Sequence, residues 1–177
     1  MKMKKILFVF LIISQSSFCQ NLSSKDVHNS IYYELFGHSE TILSVNYERL
    51  FTNENNNFIY IAGIGIGRNP GADEESINKR PAVTTFPIIG GILYGKKNHF
   101  AQLKIGYTPV FSKDYVDTSV NPNIIYKKFQ SDYSLSMGYR FMANNGIVIQ
   151  GFPIFIWSEN QSKKFSVSFG LCIGYAF

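Results

Sequence analysis

The sequence predicts an all-β fold, an eight-stranded antiparallel up-and-down transmembrane β-barrel, on three observations. Of 177 residues, 16% are aromatic and only 16% are charged, against about 25% charged in an average soluble domain. Several segments alternate strictly between large and small side chains. The large side chains are too numerous for a small interior, so they are assigned to lipid, and the small and polar side chains are assigned to a narrow lumen.

The first 19 residues are predicted to be a secretory signal peptide. Three lysines in the first five residues precede an apolar run at 6–13, and Ser17 and Cys19 are small residues in front of a cleavage site at Gln20. The run is far shorter than the roughly 20 residues of a transmembrane helix. We therefore expect residues 20–177 to form the barrel domain. Acylation of Cys19 is the alternative, and bulky Phe18 disfavours it.

The net charge of +5 does not indicate a nucleic-acid partner. Three of the 17 basic residues lie in the predicted leader, and the 14 others against 12 acidic residues leave a charge of only +2. We expect no nucleic acid to bind. Cys172 is the only cysteine after the leader, which excludes an intramolecular disulfide from the mature chain.

The last segment, 165–177, has the clearest alternation. Its odd positions are Phe, Val, Phe, Leu, Ile, Tyr and Phe, and its even positions are Ser, Ser, Gly, Cys, Gly and Ala. A period of 2 predicts a strand with two different faces. In a soluble barrel the small face would meet water, where Lys and Glu are the usual choices. Lipid contact for the large face removes that difficulty.

Eight strands are predicted along the chain. Prolines and glycines within them, such as Pro87 and Pro153, predict bends or bulges. The N-terminus and the short connections are expected to face the periplasm, and the long connections 68–81 and 112–128 to face outside. The predicted strands lie near residues 30–37, 41–51, 57–68, 82–95, 99–111, 129–141, 146–157 and 165–177.

Aromatic residues at strand ends are typical of interface girdles. The final strand ends at Phe177, and the stretches 33–37 and 44–51 read YELFG and SVNYERLF. These features resemble small eight-stranded bacterial outer-membrane barrels of the Bacteroidetes type, similar in layout to OmpA-type barrels. The resemblance implies the cell outer membrane as the location, its lipid as a partner, and the barrel-insertion machinery as a partner of the C-terminal strand. It implies no cofactor and no catalytic residues.

Five charged residues fall on the face assigned to the lumen. They are Glu34, Glu48, Lys104, Asp132 and Arg140. A narrow lumen disfavours unpaired charges, so we expect a salt-bridge network that fills the barrel, with Arg140 paired to Glu48 and Lys104 paired to Glu34. A gate or proton path is the alternative role for the same residues.

Gly63, Gly65 and Gly67 recur with a period of 2. They are not a phosphate-binding loop, because no helix follows them. Glycines at this spacing share one face of a strand. They predict a lumen-facing wall with room for bulky neighbours.

Catalytic and metal-binding patterns are weak. His38, Ser39 and Glu40 place three hydrolase residue types on one turn, but neighbouring strand residues point apart unless the turn is irregular, and no Gly-x-Ser-x-Gly motif accompanies them. No cluster has metal-ligand spacing, and the acidic run 73–75 is interpreted as a solvated loop. We therefore predict no catalytic residues, no metal and no cofactor.

The sequence favours a structural or surface-interaction protein with a plugged polar lumen that acts through its extracellular loops. An eight-stranded interior is just filled by side chains, which disfavours a diffusion porin. Two alternatives stay open. One is a lipid-modifying outer-membrane enzyme of the deacylase or acyltransferase kind, and the other is a narrow channel or small-ligand binder.

Overall fold

Antiparallel strands make up nearly all of the described chain. The computed structural model describes residues 27–52, 57–69, 82–115, 125–159 and 165–177, so the predicted leader and the acidic run 73–75 lie outside the described residues. The strands are β1 (Asn29–Leu35), β2 (Ser44–Thr52), β3 (Phe58–Asn69), β4 (Val83–Thr85), β5 (Ile88–Lys96), β6 (His99–Tyr115), β7 (Ile125–Met142), β8 (Ile147–Ser158) and β9 (Phe165–Ala176). No helix within these ranges is long and apolar enough to span a bilayer.

The sheet closes into a barrel of eight strands. Apart from β4 and β5, each strand pairs with the strands before and after it in the chain, and β1 also pairs with β9. The segments β4 and β5 both pair with β3 and β6 in one continuing register, so together they are a single barrel strand. Closure gives hydrogen-bond partners to the backbone N–H and C=O groups that an open sheet would leave unpaired at its edges. The predicted fold is therefore confirmed.

The interruption between β4 and β5 occurs at Phe86 and Pro87. Proline has no N–H to donate to a ladder, and Pro87 and Pro109 lie on neighbouring strands. The Phe86 N–H donates to the Pro109 carbonyl at 3.1 Å, and the Gly65 N–H donates to the Pro87 carbonyl at 2.8 Å. The bend predicted at Pro87 is thus a gap in the ladder that leaves the register unchanged.

The connection predicted at 112–128 is shorter than expected. Strands β6 and β7 have 17 and 18 residues, whereas about 9–11 suffice to span a bilayer. Their pairing continues to Tyr115 and Ile125, but the pairing of β7 with β8 ends at Asp132 and Ser158. Among the residues that the structure describes, the two strands therefore extend past the rest of the wall as a hairpin. Large and small residues no longer alternate regularly in this stretch, and the sequence therefore predicts a connection there.

A second difference concerns the segment 36–43, predicted in part as strand. It forms an irregular turn between β1 and β2, and its residues Gly37, His38, Ser39 and Thr41 are buried. We call it the inward turn. Phe36 and Glu40 have φ of 53° and 55° there, a left-handed conformation that costs energy for residues with a side chain. Contacts inside the barrel must hold it.

The outer and inner faces follow the predicted alternation. Large apolar side chains such as Ile64, Ile105, Val167 and Ile173 are exposed on the outer wall. The interior is less uniformly polar than expected, because β8 directs large apolar side chains inward. One buried apolar cluster comprises Val27, Leu50, Ile59, Ile61, Leu93, Phe100, Met142, Val148 and Ala176, and a second comprises Tyr32, Phe152, Ile154, Ile156 and Cys172.

Large inward side chains lie opposite glycines on the adjacent strand. The paired positions are Glu48 with Gly63, Asn46 with Gly65, Lys104 with Gly91, Phe152 with Gly170 and Tyr32 with Gly174. A Cβ at Gly170 would lie 2.4 Å from the Phe152 ring, and one at Gly63 would lie 2.8 Å from the Glu48 side chain. The missing side chains leave the volume that the large ones fill.

Candidate functional site

Glu48 lies at the centre of a buried charge cluster in the barrel interior. Its Oε1 accepts hydrogen bonds from Lys104 Nζ and from the Tyr32 hydroxyl, both at 2.7 Å. Its Oε2 accepts from Arg140 Nη2. The side chains of the three charged residues have no exposed area. Glu48 belongs to β2, which pairs with neither β6 nor β7, so the cluster joins parts of the wall that the ladder does not connect directly.

Lys104 makes further contacts that fix its ammonium group. Its Nζ donates to Gln150 Oε1 at 2.9 Å. It also lies 5.2 Å from the centroid of the Tyr32 ring and 5.6 Å from that of Phe152, within the range of cation–π attraction. The ammonium thus has a carboxylate, an amide oxygen and two ring faces around it.

Glu34 does not take the partner expected from the sequence. The structure pairs Lys104 with Glu48, and Glu34 instead accepts from Asn46 Nδ2 and from the His38 backbone N–H, both at 2.7 Å. Glu34 lies next to the last residue of β1, where the chain enters the inward turn. Its carboxylate therefore accepts a hydrogen bond from a buried N–H group of that turn and does not extend to Lys104.

Asp132 lies apart from the cluster, near the last paired residues of β7 and β8. It is buried, and it accepts a long hydrogen bond of 3.4 Å from Gln130 Nε2. Glu40 of the inward turn lies beside it. Partial removal from water, together with the repulsion and hydrogen bonding of the Asp132 carboxyl, raises the pKa of Glu40 to about 8.

The Glu40 carboxyl should make the fold less stable as pH rises. Its folded-state pKa of about 8 exceeds the ordinary value of 4.5, so between these values the folded protein keeps a proton that the unfolded chain has lost. The associated stabilisation is complete below about pH 4.5 and is lost as pH rises through about 8. Urea titrations across this interval should show a smaller decline for Glu40→Gln than for the wild type. Equal slopes would contradict this account.

His38 is held inside the barrel by two serines of β7. Its Nδ1 lies 2.8 Å from Ser134 Oγ, and its Nε2 lies 3.0 Å from Ser136 Oγ. Thr108 Oγ1 donates to the His38 carbonyl at 2.8 Å. A neutral imidazole donates from one nitrogen and accepts at the other, so the two hydroxyls satisfy the ring. These bonds anchor the inward turn to β6 and β7.

The three hydrolase residue types on this turn do not meet one another. His38 bonds the serines of β7, the Ser39 hydroxyl bonds Thr41 Oγ1 at 2.8 Å, and Glu40 lies beside Asp132. The Glu34 carboxylate accepts from the His38 backbone N–H, and the ring nitrogens bond Ser134 and Ser136. The geometry therefore matches an anchor for the turn better than a Ser–His–acid arrangement, in which an acid orients the ring.

Gly106 makes room for His38, and filling it should destabilise the barrel. A Cβ at Gly106 would lie 2.8 Å from His38 Nδ1 and 2.4 Å from Ser134 Oγ. We expect Gly106→Val to cost about 1–3 kcal/mol, as overpacked interiors do, in urea unfolding of the refolded protein. The control is Gly90→Val, where a Cβ would meet nothing within 4 Å. It should stay within about 0.5 kcal/mol of the wild type, and similar losses for both would refute the assignment.

Within the part of the chain that the structure describes, no group of three or more His, Cys, Asp or Glu residues could hold a metal ion. Cys172 is a free, buried thiol. The residues that the sequence missed are Tyr32, Asn46, Gln150, Ser134 and Ser136. In the sequence, these residues are marked only by their position on the inward face of a strand. Many other neutral residues share that position, so it does not single them out.

No protein-family model and no curated protein sequence matches the chain. Among solved structures, it is similar to the N-terminal β-barrel domain of Pseudomonas aeruginosa OprF, with a TM-score of 0.51, 9% identity, and 88% of this chain and 100% of that chain covered. It is also similar to the Yersinia pestis outer membrane protein Ail in a phospholipid bilayer nanodisc, with a TM-score of 0.49, 15% identity, and 85% and 98% covered. At these identities the likeness to OprF shows the eight-stranded barrel fold alone.

Proposed function

We propose that this protein is a bacterial outer-membrane barrel with a closed lumen, and that it acts as a structural or surface-interaction protein. The observation that carries the proposal is the buried carboxylate of Glu48 between Lys104 and Arg140. A solute moving along the axis would have to separate these ions in a medium of low dielectric constant, which is costly.

Two further features support a closed lumen. Beside the charges, the apolar cluster that includes Leu50, Leu93, Phe100 and Val148 buries side chains from strands all around the barrel. The Phe152 ring occupies the space opposite Gly170. Apolar side chains packed across an interior exclude water and ions.

The membrane location rests on the outer wall. A closed barrel that exposes large apolar side chains on every strand would aggregate in water, and the same wall suits hydrocarbon. The last residue, Phe177, also contributes to closure, since its carbonyl accepts from the Asn29 N–H at 2.8 Å. Recognition of this C-terminal strand by the barrel-insertion machinery is part of the proposal.

The surface role rests on the hairpin formed by β6 and β7. Within the described residues, these two strands continue past the ladder pairs that end at Ser158 and Val83 and reach Tyr115 and Ile125. They pair there with each other, apart from the Glu159 N–H, which donates to the Ser131 carbonyl at 3.3 Å. A paired extension beyond the wall presents a stiff surface for contact, whereas an irregular loop would lose more conformational entropy on binding.

Conductance measurements test the closed lumen. The purified protein, inserted into a planar lipid bilayer, should show no stepwise current, and liposomes that contain it should not swell in sugar solutions. Glu48→Ala, which leaves Lys104 and Arg140 without their shared carboxylate, is the variant in which leakage would first appear. Regular current steps in the wild type would overturn the proposal.

Epitope insertions test which end faces the cell surface. An epitope placed between residues 119 and 120 should bind antibody on intact cells. The matched insertion between Asn144 and Asn145, in the short turn after β7, should bind antibody only after the outer membrane is permeabilised. The reverse result would place the extended hairpin in the periplasm and remove the surface role.

A narrow water or ion path is the second candidate. Several buried polar atoms of the described residues have no hydrogen-bond partner in the protein, namely both amide atoms of Gln102, Nε and Nη1 of Arg140, and Nε2 of Gln150. Inner-face groups of this kind favour hydration. Current steps that disappear in Gln102→Leu would support this candidate over a closed lumen.

A further inference from the structure

The outer wall contains a groove of about 580 Å³ across strands β5 to β8. Two rows of outward side chains line it. One row runs through Ile88, Tyr107, Tyr133 and Trp157, and the other through Gly90, Ile105 and Leu135. Because each row consists of directly paired residues on neighbouring strands, the groove lies within the wall itself and not in a loop.

Gly90 opens one end of this groove. A Cβ built there would meet nothing within 4 Å, in contrast to the inward glycines, whose missing side chains are replaced by neighbours. The paired residue on β6, Ile105, is 63% exposed. The lipid-facing surface therefore has a depression where the other strands carry large side chains.

The other end of the groove reaches the aromatic residues near the barrel mouth. Trp157 lies one residue before the last pair of β7 and β8, opposite Tyr133. The Tyr107 and Tyr133 rings are 5.5 Å apart, and the Tyr107 hydroxyl is 3.0 Å from Ser131 Oγ. Tyr and Trp at this level are typical of the boundary between hydrocarbon and headgroups.

We propose that this groove binds one acyl chain of a membrane lipid, with the lipid headgroup at the level of Trp157. The inference rests on the proposed membrane location. The next row of outward residues beside the groove includes Leu103 and Met137, which are paired, apolar and exposed, so in the proposed location the molecules that reach the groove are lipid chains. An acyl chain that lies in the groove replaces contacts with mobile lipid neighbours by contacts with fixed apolar side chains. It also occupies a space in which other lipid chains would pack poorly.

Trp157 supplies the probe, because it is the only tryptophan of the chain. The protein is reconstituted in bilayers with a rising fraction of phosphatidylcholine brominated on its acyl chains, and bromine quenches the fluorescence on contact. Lipids of the general belt quench in proportion to their mole fraction. A chain bound in the groove adds a component that saturates at a low fraction of brominated lipid.

Two matched variants assign that component. Gly90→Phe fills the groove from its open end and should remove the saturating component, leaving proportional quenching. Val45→Phe introduces the same side chain at an outward position of β2 that does not line the groove, and it should keep the component. Retained heat-modifiable migration in electrophoresis checks that both variants fold.

The remaining outcomes separate this inference from the proposed function. Proportional quenching in the wild type, or a saturating component that survives Gly90→Phe, would overturn the groove as a lipid site while leaving the membrane location intact. Absence of quenching by brominated lipid at any acyl position would show that the wall does not face hydrocarbon, and the proposed location would fail with it.

Discussion

Replacing Glu48 by Gln should destabilise the refolded barrel by about 3–5 kcal/mol, the usual cost of removing one partner of a buried ion pair. The substitution keeps the size of the side chain but leaves Lys104 and Arg140 buried without their shared carboxylate. Urea unfolding in lipid vesicles, followed by tryptophan fluorescence, measures the change in the free energy of unfolding.

Glu34→Gln is the matched control for this experiment. Glu34 is buried to the same degree, but its two oxygens accept from the neutral N–H groups of His38 and Asn46. The amide can accept only one of these hydrogen bonds, and no buried cation loses its partner. The decrease in the free energy of unfolding for Glu34→Gln should therefore be clearly smaller than for Glu48→Gln. A double-mutant cycle on Glu48 and Arg140 then isolates their interaction. Coupling indistinguishable from zero would mean that water reaches these charges and would favour the channel.

Leu171→Arg should cost about 2–4 kcal/mol, the range for a cation on the lipid face near the bilayer midplane. Leu171 lies in the middle of β9 and is 49% exposed on the outer wall. Its guanidinium would have to be held in hydrocarbon or to thin the bilayer around it. Unfolding in vesicles of different thickness measures the effect, which should grow with thickness.

Cys172→Ser is the control on the opposite face of the same strand. Cys172 is buried beside Tyr32 and Phe152, and the substitution changes its volume little, so we expect a cost well below that of Leu171→Arg. Equal losses for the two variants would show that the assignment of the faces of β9 is wrong.

The fold could be predicted because a barrel wall with two different faces constrains the sequence at every second residue. Strands β8 and β9 begin and end within a residue or two of the predicted ranges. In β9 the strict alternation of large and small side chains defines the strand, whereas β8 carries apolar side chains on both faces. The ends of β6 and β7 could not be predicted, because large and small residues do not alternate regularly in the hairpin past Asp132.

For the charged residues, the alternation predicts which face of a strand they lie on, but it does not predict which of them form salt bridges. Glu34, Glu48, Lys104, Asp132 and Arg140 are all buried in the lumen, as the alternation requires. Which of them meet depends on relative heights of distant strands, and these follow from the shear of the closed barrel, which no local pattern encodes. Glu48 therefore forms salt bridges with both Lys104 and Arg140. Glu34 does not form the expected salt bridge with Lys104.

The inward turn escaped prediction for a different reason. A sequence such as Gly37-His38-Ser39 is usually a solvated connection. Here the small residues Gly106, Ser134 and Ser136 on distant strands make room for its histidine. The positive φ values at Phe36 and Glu40 cannot be predicted from the periodicity of the sequence either. The signal is spread over three segments that closure brings together.

The pairing of glycines with large inward side chains has a consequence for how this chain can change. Glu48 with Gly63, and Phe152 with Gly170, divide one fixed volume between two adjacent strands. An enlarged residue on one strand is tolerated only when its partner shrinks, so the positions should vary jointly among descendants of a common ancestor. Exchange of the two members, as in Phe152→Gly with Gly170→Phe, should then restore packing that either substitution alone disrupts.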